Sequence, residues 1–126
     1  MKSTAAIILC LILTAGCGRE SPHIRDLRAK VAQVGAETLL TDAKTLSQEY
    51  TQEKADGRRY WEVMPTNSLS VFGQPARVRP DSISITTAGL GSFRAGILIN
   101  TSGTEMTIDS NYVALADNIW FWSGNR

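Results

Sequence analysis

The spacing of apolar residues changes once along this chain, near Gly57, and that change decides the fold class. Before it, Ile24, Leu27, Val31 and Val34 recur at steps of three and four. After Gly35 the stripe resumes as Leu39, Ala43, Leu46 and Tyr50. Such spacing puts one apolar face on a helix. From Ser68 onward the period is two: Ile83 and Ile85 alternate with Ser82, Ser84 and Thr86, and Phe93, Ala95, Ile97 and Ile99 with Arg94, Gly96, Leu98 and Asn100. Alternation of this kind marks strands with one face turned inward. The segment 18–59 holds 15 charged side chains and only eight large apolar ones, whereas 60–126 holds nine and 24. The second part therefore supplies most of the core, and the first part lays one face against it.

Local signals set the boundaries. Ser21-Pro22 reads as an N-cap followed by proline at the first helical position. The step from Val34 to Leu39 is five, so the helical register slips at Gly35; one kinked helix or two consecutive helices satisfy it. Asp56-Gly57 reads as a helix stop. Ala88-Gly89-Leu90-Gly91 and Thr101-Ser102-Gly103 read as hairpin loops, and Asp109-Ser110-Asn111 and Asp117-Asn118 as turns. Met106 and Ile108 are expected in a further strand. Pro75 and Pro80 bracket Val78, which confines that segment to an edge strand. Short connections favour antiparallel neighbours. The expected architecture is α+β: an N-terminal helix, kinked or split in two, packed on an antiparallel meander of four to six short strands.

The first residues read differently. Lys2 precedes a run from Ala5 to Gly16 that is mostly apolar, the n-region and h-region of a secretory signal. At 12 residues it falls short of the roughly 20 that a membrane-spanning helix needs. Leu13-Thr14-Ala15-Gly16-Cys17 resembles the lipobox of bacterial lipoproteins. Ala15 and Gly16 match the small residues before the cut, while Thr14 stands where leucine is commonest. The resemblance covers only this signal. It implies cleavage between Gly16 and Cys17, and attachment of diacylglycerol and palmitate to Cys17. Gly18, in place of the aspartate that retains enterobacterial lipoproteins at the inner membrane, implies the periplasmic face of the outer membrane. The expected division is a signal at 1–16, a tether at 17–20 and a single domain at 21–126. The tether spans roughly 10–14 Å at full extension, so the domain works beside the bilayer.

Processing also changes the chemistry. Of two cysteines, Cys10 leaves with the signal and Cys17 is acylated, so neither a disulfide nor a thiol nucleophile is expected. One histidine cannot join a four-ligand Cys/His zinc site with what remains. His23, in the first helical turn, is read as a solvated residue rather than the base of a Ser-His-Asp triad. No nucleophile elbow, Walker loop or calcium loop is present. A formal net charge of +1 gives no global footprint for nucleic acid. No catalytic residue, metal ligand or cofactor is expected.

Two clusters remain as a candidate binding surface. Arg58-Arg59-Tyr60-Trp61 combines cations with aromatics, although arginines near a helix end also complement its dipole. Ile119-Trp120-Phe121-Trp122 makes both faces of one strand apolar, with Trp120 and Trp122 sharing a face. Arg58, Arg59, Trp61, Trp120 and Trp122 are thus the expected surface residues. The leading expectation is a membrane-tethered, non-enzymatic envelope lipoprotein that binds another envelope component. A module holding an apolar or sugar ligand between helix and sheet is the alternative. A hydrolase using carboxylates among Glu62, Asp81 and Glu105 is third.

Overall fold

The computed structural model describes residues 21–53, 60–90, 92–106 and 111–125, and the calls on Gly16, Cys17, Asp56-Gly57, Arg58 and Arg59 lie outside them. Two helices, α1 (Pro22–Val34) and α2 (Ala36–Glu53), precede six strands: β1 (Trp61–Val63), β2 (Ala76–Val78), β3 (Ser82–Leu90), β4 (Phe93–Asn100), β5 (Tyr112–Ala116) and β6 (Ile119–Asn125). The strands form one antiparallel sheet in the order β1-β2-β3-β4-β6-β5. The protein is α+β, with N-terminal helices packed on a strand meander. Its one departure from sequence order is β6, which lies between β4 and β5.

The Ser21 hydroxyl accepts from the Ile24 amide at 3.2 Å and caps α1. Gly35 ends it at φ +100°, a backbone conformation that side chains with a Cβ rarely adopt. The register slip at Gly35 is thus a break between two helices. Leu27 and Val31 of α1 and Leu39, Ala43 and Leu46 of α2 are buried against Val78, Ile83, Ile85, Ile97, Ile99 and Ile119 of the sheet. His23 is half-buried and packed rather than a free surface residue. Its Nε2 shares a 2.7 Å hydrogen bond with the Thr87 hydroxyl, and its ring meets Phe121 edge-on at 6.0 Å. Thr87 is the extra residue where the β3–β4 register shifts, so it turns toward the helices and meets the start of α1.

Three connections differ from expectation. β3 runs on to Leu90, which pairs with Phe93, so the β3–β4 loop is shorter than the glycines suggest. β2 is not an edge strand: it pairs with β1 and β3 over three residues each. Pro75 and Pro80 lie just outside that ladder, where neither has to donate to it. Met106 belongs to no strand but to the long loop after β4, and 107–110 lie outside the described residues.

That loop is held by Asn100, which is 2% exposed. Its Nδ2 donates to the Thr104 carbonyl at 2.6 Å, and its Oδ1 accepts from the Ser102 amide at 3.1 Å and hydroxyl at 2.7 Å. Removing the side chain forfeits three hydrogen bonds to the exposed Ser102 and Thr104, each worth about 0.5–1.5 kcal/mol and together about 1–3 kcal/mol. Asn100→Ala is expected to lower unfolding free energy by that amount in urea titration. Stability equal to the parent chain would show that the loop does not depend on it. Among the described residues no helix is long and apolar enough to cross a membrane.

Candidate functional site

A sheet with helices on one side has a second face to account for. Register assigns the residues to it. Glu62 pairs with Arg77, Arg77 with Ser84, Ser84 with Leu98, Leu98 with Trp120 and Trp120 with Ala114. Beside that row runs a second: Thr86, Gly96, Trp122 and Tyr112. Directly paired side chains share a face, so all of these lie opposite the helices. The face is not apolar like the helix side. It alternates hydroxyls, cations and aromatics.

A groove of about 560 Å³ lies over it. Its floor is Ser82, Ser84 and Thr86 of β3 with Leu98 and Trp122 of the neighbouring strands. Met106, from the loop that Asn100 holds, and Tyr112, from β5, form the wall on one side. Arg77, Arg79 and Asp81 line the other, and Arg94 lies toward the β3–β4 hairpin. Among the described residues three arginines face one aspartate, a formal excess of two positive charges. The volume is within the range of small-ligand sites.

The arginines are organised. Arg77 and Arg79, two residues apart on one side of the chain, both reach the ring of Tyr60, with guanidinium carbons 4.9 and 5.4 Å from its centroid. Each contact is a cation–π interaction. Glu62 approaches Arg77 at 3.9 Å, a loose pair with both side chains well exposed. Among the described residues no acidic side chain pairs with Arg79. Arg94 folds back to donate to the Phe93 carbonyl at 3.0 Å.

The structure separates the residues that the sequence groups together. Trp122 is 6% exposed and lines the groove, with its indole Nε1 donating to the Ile97 carbonyl at 3.3 Å. Trp120 is half-buried on the same face. Trp61 pairs with Val78 on the opposite, helix-facing side, where its ring meets Tyr50 at 6.1 Å. No single surface joins Trp61 to Trp120 and Trp122. Of the carboxylates considered for hydrolysis, Asp81 lines the groove; Glu62 and Glu105 are not part of its lining. The groove is also not between helix and sheet but on the far side of the sheet.

Arg77, Arg79, Arg94, Met106 and Tyr112 were not singled out by sequence reasoning. The alternation of Arg77 and Arg79 with Val78 and of Arg94 with Ala95 was a usable signal. It puts three cations on the polar side of two strands, β2 with its continuation to Arg79, and β4. Among the described residues no three His, Cys, Asp or Glu side chains gather closely enough to hold a metal ion. A smaller depression of about 450 Å³ lies beside the Arg79–Asp81 end of the groove, between Lys44, Ser47 and Gln48 of α2, Pro80 and the Thr101–Gly103 loop. Comparison with protein-family models, curated proteins and solved structures finds no match to this chain.

Proposed function

We propose that this chain is a membrane-tethered binding module of a bacterial envelope, anchored through Cys17, and that the open face of its sheet is the binding surface. The observation that carries the binding part is the difference between the two sheet faces. One is packed by α1 and α2; the other holds a groove with a formal charge excess and a row of hydroxyls. The open face of an antiparallel sheet is ordinarily a polar alternation; this one also holds a groove in which arginines from two strands gather. The anchor rests on the lipobox-like sequence, and with it the expected place at the periplasmic side of the outer membrane. The partner is another envelope component, and the work is binding rather than catalysis.

Two measurements test this. Labelled palmitate is expected in the parent chain and not in Cys17→Ser; equal labelling of both would remove the anchor. The detergent-purified parent chain is expected to sediment with insoluble envelope material. Arg79→Glu with Arg94→Glu is expected to release it while its circular dichroism stays unchanged. Equal sedimentation of the charge-reversed chain would remove the groove from the function.

A further inference from the structure

The convergence of two cations on one aromatic ring needs an explanation. Arg77 and Arg79 both lie against the Tyr60 ring, and among the described residues the acidic side chain paired with either is Glu62, 3.9 Å from Arg77. Two cations gathered at one end of a groove favour an anion there. Guanidinium groups also offer paired donors that match a carboxylate. This end of the groove has the chemistry of a carboxylate subsite.

The second cationic point is Arg94. On β4, Arg94 and Leu98 are four residues apart, and Leu98 shares its row with Ser84 and Arg77. At about 3.3 Å per residue, the two cationic points are separated by roughly 13 Å along the strands. Between them lie the hydroxyls of Ser84 and Thr86. Beneath the groove, Ile83, Ser84 and Ile85 pair with β2 on one side and β4 on the other, and from Thr86 on β3 pairs with β4 alone, so the floor over the sheet face presents side-chain groups.

We propose that the groove binds an extended acidic saccharide, with one carboxylate at Arg77 and Arg79, a second at Arg94, and sugar hydroxyls on Ser84 and Thr86 between them. This deepens the binding-module reading and rests on it. The competing occupants fit less well. A peptide strand adds to a sheet in its plane, through an edge, and this groove lies over the sheet face. Single-stranded nucleic acid needs open aromatic faces for stacking, whereas Trp122 is 6% exposed. An acyl chain needs an apolar channel, and this groove is lined by cations and hydroxyls as much as by Leu98, Met106 and Trp122.

The test is calorimetric titration of the detergent-purified full chain at low salt. The probes are tetragalacturonate, neutral cellotetraose, tetraglutamate and a single-stranded oligodeoxythymidylate of four nucleotides. Tetragalacturonate is expected to saturate one site and to bind at least about tenfold tighter than the other three. Arg79→Ala and Arg94→Ala are each expected to weaken it about tenfold, with melting temperatures unchanged. Ser84→Ala is expected to weaken it less and to leave the salt dependence unaltered. Cellotetraose binding as tightly would overturn the carboxylate subsites. Tetraglutamate or the oligonucleotide binding as tightly would overturn the saccharide. Absence of saturable tetragalacturonate binding would overturn the proposal, while loss of envelope sedimentation in the charge-reversed chain would still support the broader reading.

Discussion

Placing a methyl group at Gly96 is expected to cost the chain about 3 kcal/mol or more, and a valine there to prevent native folding. A Cβ at this position would overlap the Ile85 carbonyl oxygen and lie 2.9 Å from both the Ile85 carbonyl carbon and Thr86 Cα. All three atoms are backbone, held in the central β3–β4 ladder, so no rotamer change makes room. The cause is the register shift between Thr86 and Ala88 on β3. An extra residue there bends the strand and presses its backbone onto its neighbour. Total stability of small domains is about 5–15 kcal/mol, so the loss is a large fraction of it. Gly124, on β6, is the control: a Cβ there meets nothing within 4 Å. Urea titration is expected to give Gly124→Ala a midpoint near that of the parent chain and Gly96→Ala a much lower one. Equal midpoints would show that β3 and β4 do not approach so closely.

The bulge also explains what the sequence makes legible. Strict alternation at Ile83, Ile85, Ile97 and Ile99 identifies the inner face, because period two leaves a strand no other way to bury these side chains. The cap at Ser21 and the slip at Gly35 are equally local and locate both helices. What escapes is whatever depends on two distant segments meeting. Thr87 reads as one more polar strand residue, yet the register shift turns it toward His23. β5 precedes β6 in the chain but lies outside it in the sheet, since β6 is the strand that pairs with β4. Met106 alternates like a strand residue and instead walls the groove. The candidate site suffers most, since its cations come from β2 and β4 and meet only across the sheet. Trp120 and Trp122 could be assigned to one face from spacing alone. That the face holds a lined groove, and that Trp61 lies on the other side, follows from pairing.

Trp122 ties the groove to the stability of the sheet, and its removal is expected to cost about 3–5 kcal/mol. It is the largest buried side chain on the face away from the helices, 6% exposed, in register with Gly96 on one side and Tyr112 on the other. Gly96 has no side chain of its own to cover the strand, and a large aromatic opposite such a glycine shields the backbone there. The indole adds a hydrogen bond to the Ile97 carbonyl at 3.3 Å. Two substitutions separate these contributions. Trp122→Phe keeps most of the buried ring and loses the donor, so it is expected to cost about 1 kcal/mol. Trp122→Ala loses both and empties part of the floor between Met106 and Leu98. In the groove the order should repeat for a different reason. Trp122→Phe keeps the floor in place and should leave tetragalacturonate affinity within a few-fold, whereas Trp122→Ala should abolish it even at temperatures where the chain remains folded. If Trp122→Ala melts within a degree or two of the parent chain, the ring is not packed on Gly96. If it binds as tightly as the parent, the floor of the groove is not where the ligand rests, and Arg77, Arg79 and Arg94 would have to hold it from the rim alone.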